Sequence, residues 1–175
     1  MPSSINVIAI VGIALGGTSG LVGLMVTQQS VQAILWAIDG AGLVTATALL
    51  AVKYIRTGND IVAGGFLILA IGEGVDLLSG PAAGVAGHIP AFAASTALWG
   101  TALLLISIPK LFAMPIRILG IASAILFIIT SAKIFWGEPL LPDSVPLPSY
   151  AYPVLGATFI GWMWTLWREG QLGSD

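Results

Sequence analysis

Residues Val31–Tyr54 read VQAILWAIDGAGLVTATALLAVKY. A helix needs about 20 predominantly apolar residues to cross a bilayer's hydrocarbon core, and this run exceeds that length. Its charges lie at two places only, Lys53 near one end and Asp39 inside. A helix half-buried in a soluble domain would carry a charged face at helical spacing, and none is present. The stretch therefore reads as a transmembrane helix with one carboxylate set into it.

Five other stretches have the same character: Ile5–Val26, Ile61–Ser79, Ile89–Ile108, Pro115–Trp136 and Tyr150–Trp167. The expected fold is all-α: a polytopic transmembrane bundle of six helices with short loops, one domain over residues 1–175. Composition agrees. Hydrophobic residues make up 57% of the chain and charged residues 8%, with a mean hydropathy of +1.00. Soluble domains carry roughly 25% charged residues. The first stretch lacks a basic leading region and has too long an apolar run for a signal peptide, so it reads as a retained helix.

Several function classes fall away at this level. A net charge of −2 with six Lys plus Arg gives no nucleic-acid footprint. Cysteine is absent, which excludes disulfides, thiolate metal sites and cysteine nucleophiles. A single histidine, His88, excludes a bis-histidine haem within one chain. No nucleophile elbow and no H-E-x-x-H motif occurs, and nothing names a cofactor.

The breaks between stretches carry loop chemistry. They are Thr27–Ser30, Arg56–Asp60, Gly80-Pro81 with Gly84 and Gly87, Pro109-Lys110, and the long segment Gly137–Ser149. Prolines 139, 142, 146 and 148 favour an extended course in the last of these. Pro90, Pro115 and Pro153 are each expected in the first turn of a span, where a missing N–H costs little.

Six spans put both termini on one side. That side receives Lys53, Arg56, Lys110, Arg117 and Arg168; the other receives Lys133. Cytoplasmic loops are enriched in Lys and Arg, so both termini are expected in the cytoplasm of a plasma (inner) membrane. Aromatic belts are expected from Trp162, Trp164 and Trp167 on the cytoplasmic side, and from Trp36, Trp136, Tyr150 and Tyr152 on the outer side.

With this topology the other ionisable residues gather in the outer half. Asp39 lies about eight residues into its span, roughly 12 Å deep at 1.5 Å per residue. Glu73 and Asp76 are spaced i, i+3 and share a helix face. His88 opens the fourth span, Lys133 closes the fifth, and Glu138 and Asp143 follow in the outer loop. A carboxylate at mid-membrane costs about 2.5–3.5 kcal/mol on insertion scales and marks a functional site by default. The competing reading is structural: Lys133 neutralises Asp39 or Glu73, and His88 caps the network.

Small and polar residues follow helical stripes: Gln32, Asp39, Gly42 and Ala46; Gly65, Gly72, Glu73 and Asp76; His88, Phe92, Ser95 and Trp99; Ser123, Thr130 and Lys133. Such stripes face neighbouring helices, because lipid offers them nothing. Gly12, Gly16 and Gly20 form a small-xxx-small face expected to pack within the chain.

Three classes of function fit. In a transporter or channel, Asp39 and Glu73 accept a proton or cation, His88 is a pH-sensitive gate and Lys133 a counter-ion. Leu49, Leu50, Leu67, Ile68, Leu103 and Leu104 seal the opposite half. A non-catalytic membrane subunit or scaffold would pack against a partner subunit, or against another copy in a homo-oligomer. An intramembrane enzyme would use Glu73, Asp76 and His88 around a metal, although their spacing matches no established metal motif. The expectation adopted is a membrane protein binding a small solute, ion or lipid in an outward-facing polar pocket built from Asp39, Glu73, Asp76, His88 and Lys133. The bilayer is its surroundings.

Overall fold

The computed structural model describes residues 4–79 and 84–172. Among these, the chain forms six α-helices and no strand: α1 (Ser4–Met25), α2 (Gln29–Arg56), α3 (Asp60–Ser79), α4 (Gly84–Ser107), α5 (Met114–Phe135) and α6 (Ala151–Leu172). The Gly80-Pro81 break lies outside the described residues. Helices α1 to α5 are long and apolar enough to cross a membrane, which makes this a multi-pass membrane protein.

Tyr152, Pro153, Trp164 and the threonines of α6 dilute its apolar character, so its place rests on packing. Near the start of α1, Asn6 Nδ2 donates to the Leu166 carbonyl of α6 at 3.0 Å. Further along, Gly17 faces the Phe159 ring and Leu21 lies beside Gly156. These contacts run antiparallel along both helices, so α6 lies alongside α1.

The helices pack in chain order, each against the next, and α6 returns to α1. The result is a closed ring of alternating direction. One end carries the α1–α2 and α3–α4 connections and the long α5–α6 segment; we call it the loop end. The other, the turn end, carries the α2–α3 and α4–α5 turns. At the turn end Gly58 adopts φ +72°, a left-handed conformation suited to glycine at a helix terminus. Arg117 closes the α4–α5 turn: its Nε donates to the Ser107 carbonyl at 2.8 Å and its Nη2 to Ile108 at 2.7 Å, satisfying carbonyls at the end of α4.

Glycines set the closeness of the seams. A Cβ at Gly42 would lie 2.8 Å from the Gly12 carbonyl oxygen and 3.1 Å from Gly16 N. Likewise, one at Gly65 would lie 3.0 Å from the Ala102 oxygen, and one at Gly100 would lie 3.0 Å from the Ala124 oxygen. Missing side chains thus let α1–α2, α3–α4 and α4–α5 approach backbone to backbone. The glycine face of α1 packs within the chain.

The turn-end half of the ring is filled. Tyr54 stacks on Phe66 at 5.4 Å and meets Phe112 at 6.2 Å. Trp162 contacts Phe66 at 5.0 Å, Phe112 at 6.1 Å and Phe159 at 5.4 Å. Trp162 is therefore core, 1% exposed, and not the belt residue expected above; Trp164 and Trp167 do face outward. The ring interior offers an indole more contact than the interface does. Outward-facing Ile8, Leu15, Ile34, Ile125 and Ile160 are exposed, as lipid contact requires.

Helix α4 starts at Gly84, earlier than expected, so Pro90 lies inside the helix and not in its first turn. The missing N–H removes one bond, to the carbonyl four residues back. That loss falls near the end of a long packed helix, where it is tolerated. His88 accordingly sits within α4.

Candidate functional site: a polar cavity at the loop end

A cavity of about 100 Å³ lies in the loop-end half of the ring. It is walled by α1, α2, α3, α4 and α6, with Pro142 of the α5–α6 segment above. Its deepest lining positions along each helix are Gly17, Leu43, Glu73, Trp99 and Phe159. Phe159 rests on Trp162, so the aromatic plug lies directly beneath and the cavity is blind.

Four of the sequence-predicted residues meet here: Asp39 from α2, Glu73 and Asp76 from α3, and His88 from α4. The i, i+3 spacing on α3 brings both of its carboxyl groups to the same wall. Glu73 is buried, 6% exposed, and His88 is 9% exposed. The three carboxyl groups thus share one cavity.

Lys133 lies elsewhere. It does not line the cavity, and its Nζ is 2.7 Å from Glu138 Oε2 in a half-exposed pair. The expectation that it serves as counter-ion to Asp39 or Glu73 does not match this geometry. At the last turn of α5 its flexible stem reaches the polar end of the ring, where the following loop supplies a carboxylate. Among the described residues, no Lys or Arg lines the cavity.

Within the wall, Asp39 Oδ1, His88 Nδ1 and Trp99 Nε1 are buried with no hydrogen-bond partner among the described residues. The His88 ring is held flat against Phe92, centroids 5.8 Å apart and 13° between planes. Phe92 in turn meets Trp99 edge-on at 6.2 Å. Helix α2 is tied to the end of α1 by Gln32 Nε2, which donates to the Gly23 carbonyl at 3.0 Å. Gly20 and Gly23 leave space for the Asp39 carboxylate and the Trp36 indole.

Sequence reasoning missed the aromatic half of this wall. Trp36 and Tyr152, read as belt residues, line the cavity beside Trp99 and Phe159. A signal existed: Trp36 precedes Asp39 by three residues, so both share a helix face. The roof was also unforeseen as a packed element. Leu141 N donates to Ser144 Oγ at 2.8 Å, Ser149 Oγ donates to the Ser144 carbonyl at 2.9 Å, and Leu140 packs on the core.

Among the described residues, no group of three or more His, Asp or Glu side chains is arranged to hold a metal ion. The metal site considered for Glu73, Asp76 and His88 therefore lacks its geometry. Chemically, the cavity offers acidic acceptors, two unpartnered ring nitrogens and aromatic faces. Comparison with known proteins finds no matching family model, no matching curated protein and no matching solved structure.

Proposed function

We propose that this protein binds a small solute or ion in the loop-end cavity, which opens toward the outer face of a plasma (inner) membrane. The observation that carries this reading is the composition of the wall: Asp39, Glu73 and Asp76 all line it, and among the described residues no Lys or Arg does. Buried ion pairs that serve structure need a partner, because an unpaired buried charge is costly. Lys133, the candidate partner, is engaged by Glu138. A cationic ligand would bring the counter-charge that no Lys or Arg of the described wall supplies. In this reading Asp39 and Glu73 are the acceptors, and Asp76 and His88 line the approach.

A volume of about 100 Å³ suits a solute or ion better than a whole lipid. Orientation rests on the positive-inside rule: Lys53, Arg56, Lys110, Arg117 and Arg168 all fall at the turn end. The aromatic plug makes binding the primary event. Passage across the membrane would require Phe66, Phe112 and Trp162 to move.

The cysteine-free sequence gives a direct test. Leu77→Cys places one thiol in the cavity wall, and Leu103→Cys places one in the sealed core. A membrane-impermeant thiol reagent added to right-side-out vesicles is expected to modify the first and spare the second. Modification only in inside-out vesicles would reverse the orientation, and an inert Leu77→Cys thiol on both sides would remove the pocket.

A further inference from the structure

We infer that the occupant is a small hydroxylated ammonium ion of about four non-hydrogen atoms, of which ethanolammonium is the simplest, held by the carboxyl groups of Asp39 and Glu73 between the Trp36 and Trp99 rings. This rests on the binding reading above and names its ligand class. Four observations converge on it.

The first is sign. The wall carries three carboxyl groups and, among the described residues, no Lys or Arg, so the ligand that complements it is a cation. The second is the arrangement of the donors. Among the described residues, no three acidic or histidine groups are arranged to hold a metal ion, whereas hard metal ions require six or more oxygens in a tight shell. Spread acceptors suit a cation whose own N–H groups point in several directions. The third is the aromatic wall. Trp36, Trp99, Tyr152 and Phe159 line the same space, and indole faces attract ammonium groups desolvated against them.

The fourth observation separates this cation from a plain alkylammonium. Trp99 is 5% exposed, lines the cavity and has an unpartnered Nε1. An indole N–H is a donor only, and an ammonium group cannot accept from it. His88, 9% exposed, has an unpartnered Nδ1 as well. A hydroxyl beside the ammonium accepts from the indole and exchanges a hydrogen bond with the imidazole. Size agrees: a cavity of roughly 150 Å³ holds benzene, with its six heavy atoms, so about 100 Å³ holds about four. The shared chemistry, a primary ammonium with an oxygen acceptor two carbons away, reaches the site either as a free amino alcohol or as the headgroup of an aminophospholipid, whose ester oxygen then accepts from the indole in the hydroxyl's place.

The test is protection of the Leu77→Cys thiol from a small neutral methanethiosulfonate, in detergent and in phosphatidylglycerol nanodiscs. Ethanolamine hydrochloride is expected to slow modification saturably, by at least ten-fold. Ethylamine hydrochloride should protect more weakly, and ethylene glycol and glycolate not at all. If instead phosphatidylethanolamine nanodiscs protect and the free amine does not, the ligand is the lipid headgroup and the chemistry stands. Equal protection by ethylene glycol or glycolate overturns the cation and leaves the pocket reading in place. A reactive thiol that nothing protects overturns the inference, and a thiol that never reacts overturns the pocket itself. Asp39→Asn with Glu73→Gln should abolish protection. The comparison of isosteric solutes on the unaltered acidic wall decides the matter even if that double variant misfolds.

Discussion

A Cβ at Gly20 on α1 would lie 2.5 Å from Oδ2 of Asp39 on α2 and 2.9 Å from its Cγ. The missing side chain of one helix is the space in which the carboxylate of the other stands. In Gly20→Ala the carboxylate must rotate away, at about 0.5–1.5 kcal/mol for a displaced rotamer. Replacing a helical glycine returns roughly 0.5–1 kcal/mol. Stability should therefore change little, while protection of the cavity thiol by ethanolamine falls at least five-fold. Unchanged protection would mean that Asp39 does not touch the ligand.

Gly42→Ala meets backbone where Gly20→Ala meets a side chain. The new methyl would lie 2.8 Å from the Gly12 oxygen and 3.1 Å from Gly16 N, and neither can rotate aside. The α1–α2 seam must widen, at a cost of about 1–3 kcal/mol for overpacking. Gly64→Ala is the control, since nothing lies within 4 Å of its Cβ position; it should be neutral or slightly stabilising. Thermal unfolding in detergent compares the two, and identical midpoints would show that the seam is not close-packed.

Spans were legible because crossing a bilayer demands length and apolarity, and both are written residue by residue. Observed helices match the apolar windows closely at α1, α3 and α5; α4 begins earlier, and α6 runs on to Leu172. Ring order was not legible. Helices that are apolar on nearly every side do not declare which face meets a neighbour, and the return of α6 to α1 rests on dispersed contacts such as Asn6 with Leu166. The acidic half of the site was legible because carboxylates are conspicuous in a span. Its aromatic half was not, because Trp36 and Tyr152 look the same in sequence whether they anchor at an interface or line a cavity. Lys133 was misplaced for a related reason: a long flexible stem does not declare its partner in sequence, and the structure pairs it with Glu138.

Lys133→Ala follows from that pairing. Side chains of both partners are substantially exposed, 42% and 51%, and exposed pairs contribute about 0–1 kcal/mol. The variant should melt near the parent and retain full ethanolamine protection. Loss of protection would place the ammonium of Lys133 in the cavity, against the geometry.

Asp39→Asn and Glu73→Gln, made singly, ask what the carboxyl groups do in the folded chain. Each replaces an acid with an amide of nearly the same shape. If a buried cationic partner were present, neutralisation would strand it and cost about 3–5 kcal/mol. Among the described residues no Lys or Arg lines the cavity, so neither variant strands a cation, and both should unfold at or above the parental temperature. A drop of several degrees in either would restore the paired structural network as the explanation for these residues.

The α5–α6 segment supplies the final prediction. Pro142 covers the cavity, and the turn that carries it is closed by Leu141 N donating to Ser144 Oγ at 2.8 Å and Ser144 N donating to the Leu141 carbonyl at 3.0 Å. Ser144→Ala removes the first bond and keeps the second. A net hydrogen bond contributes about 0.5–1.5 kcal/mol, which corresponds to roughly a two- to ten-fold shift toward an open segment. The remainder of the bundle, held by α-helical seams distant from residue 144, should keep its melting temperature. If the segment acts as a roof, the Leu77→Cys thiol in the Ser144→Ala background will react faster by a factor in that range, and bound ethanolamine will dissociate faster to match. An unchanged reaction rate would mean that ligands enter between helices, with α1 and α6, which meet through Leu21 and Gly156, as the seam to probe next.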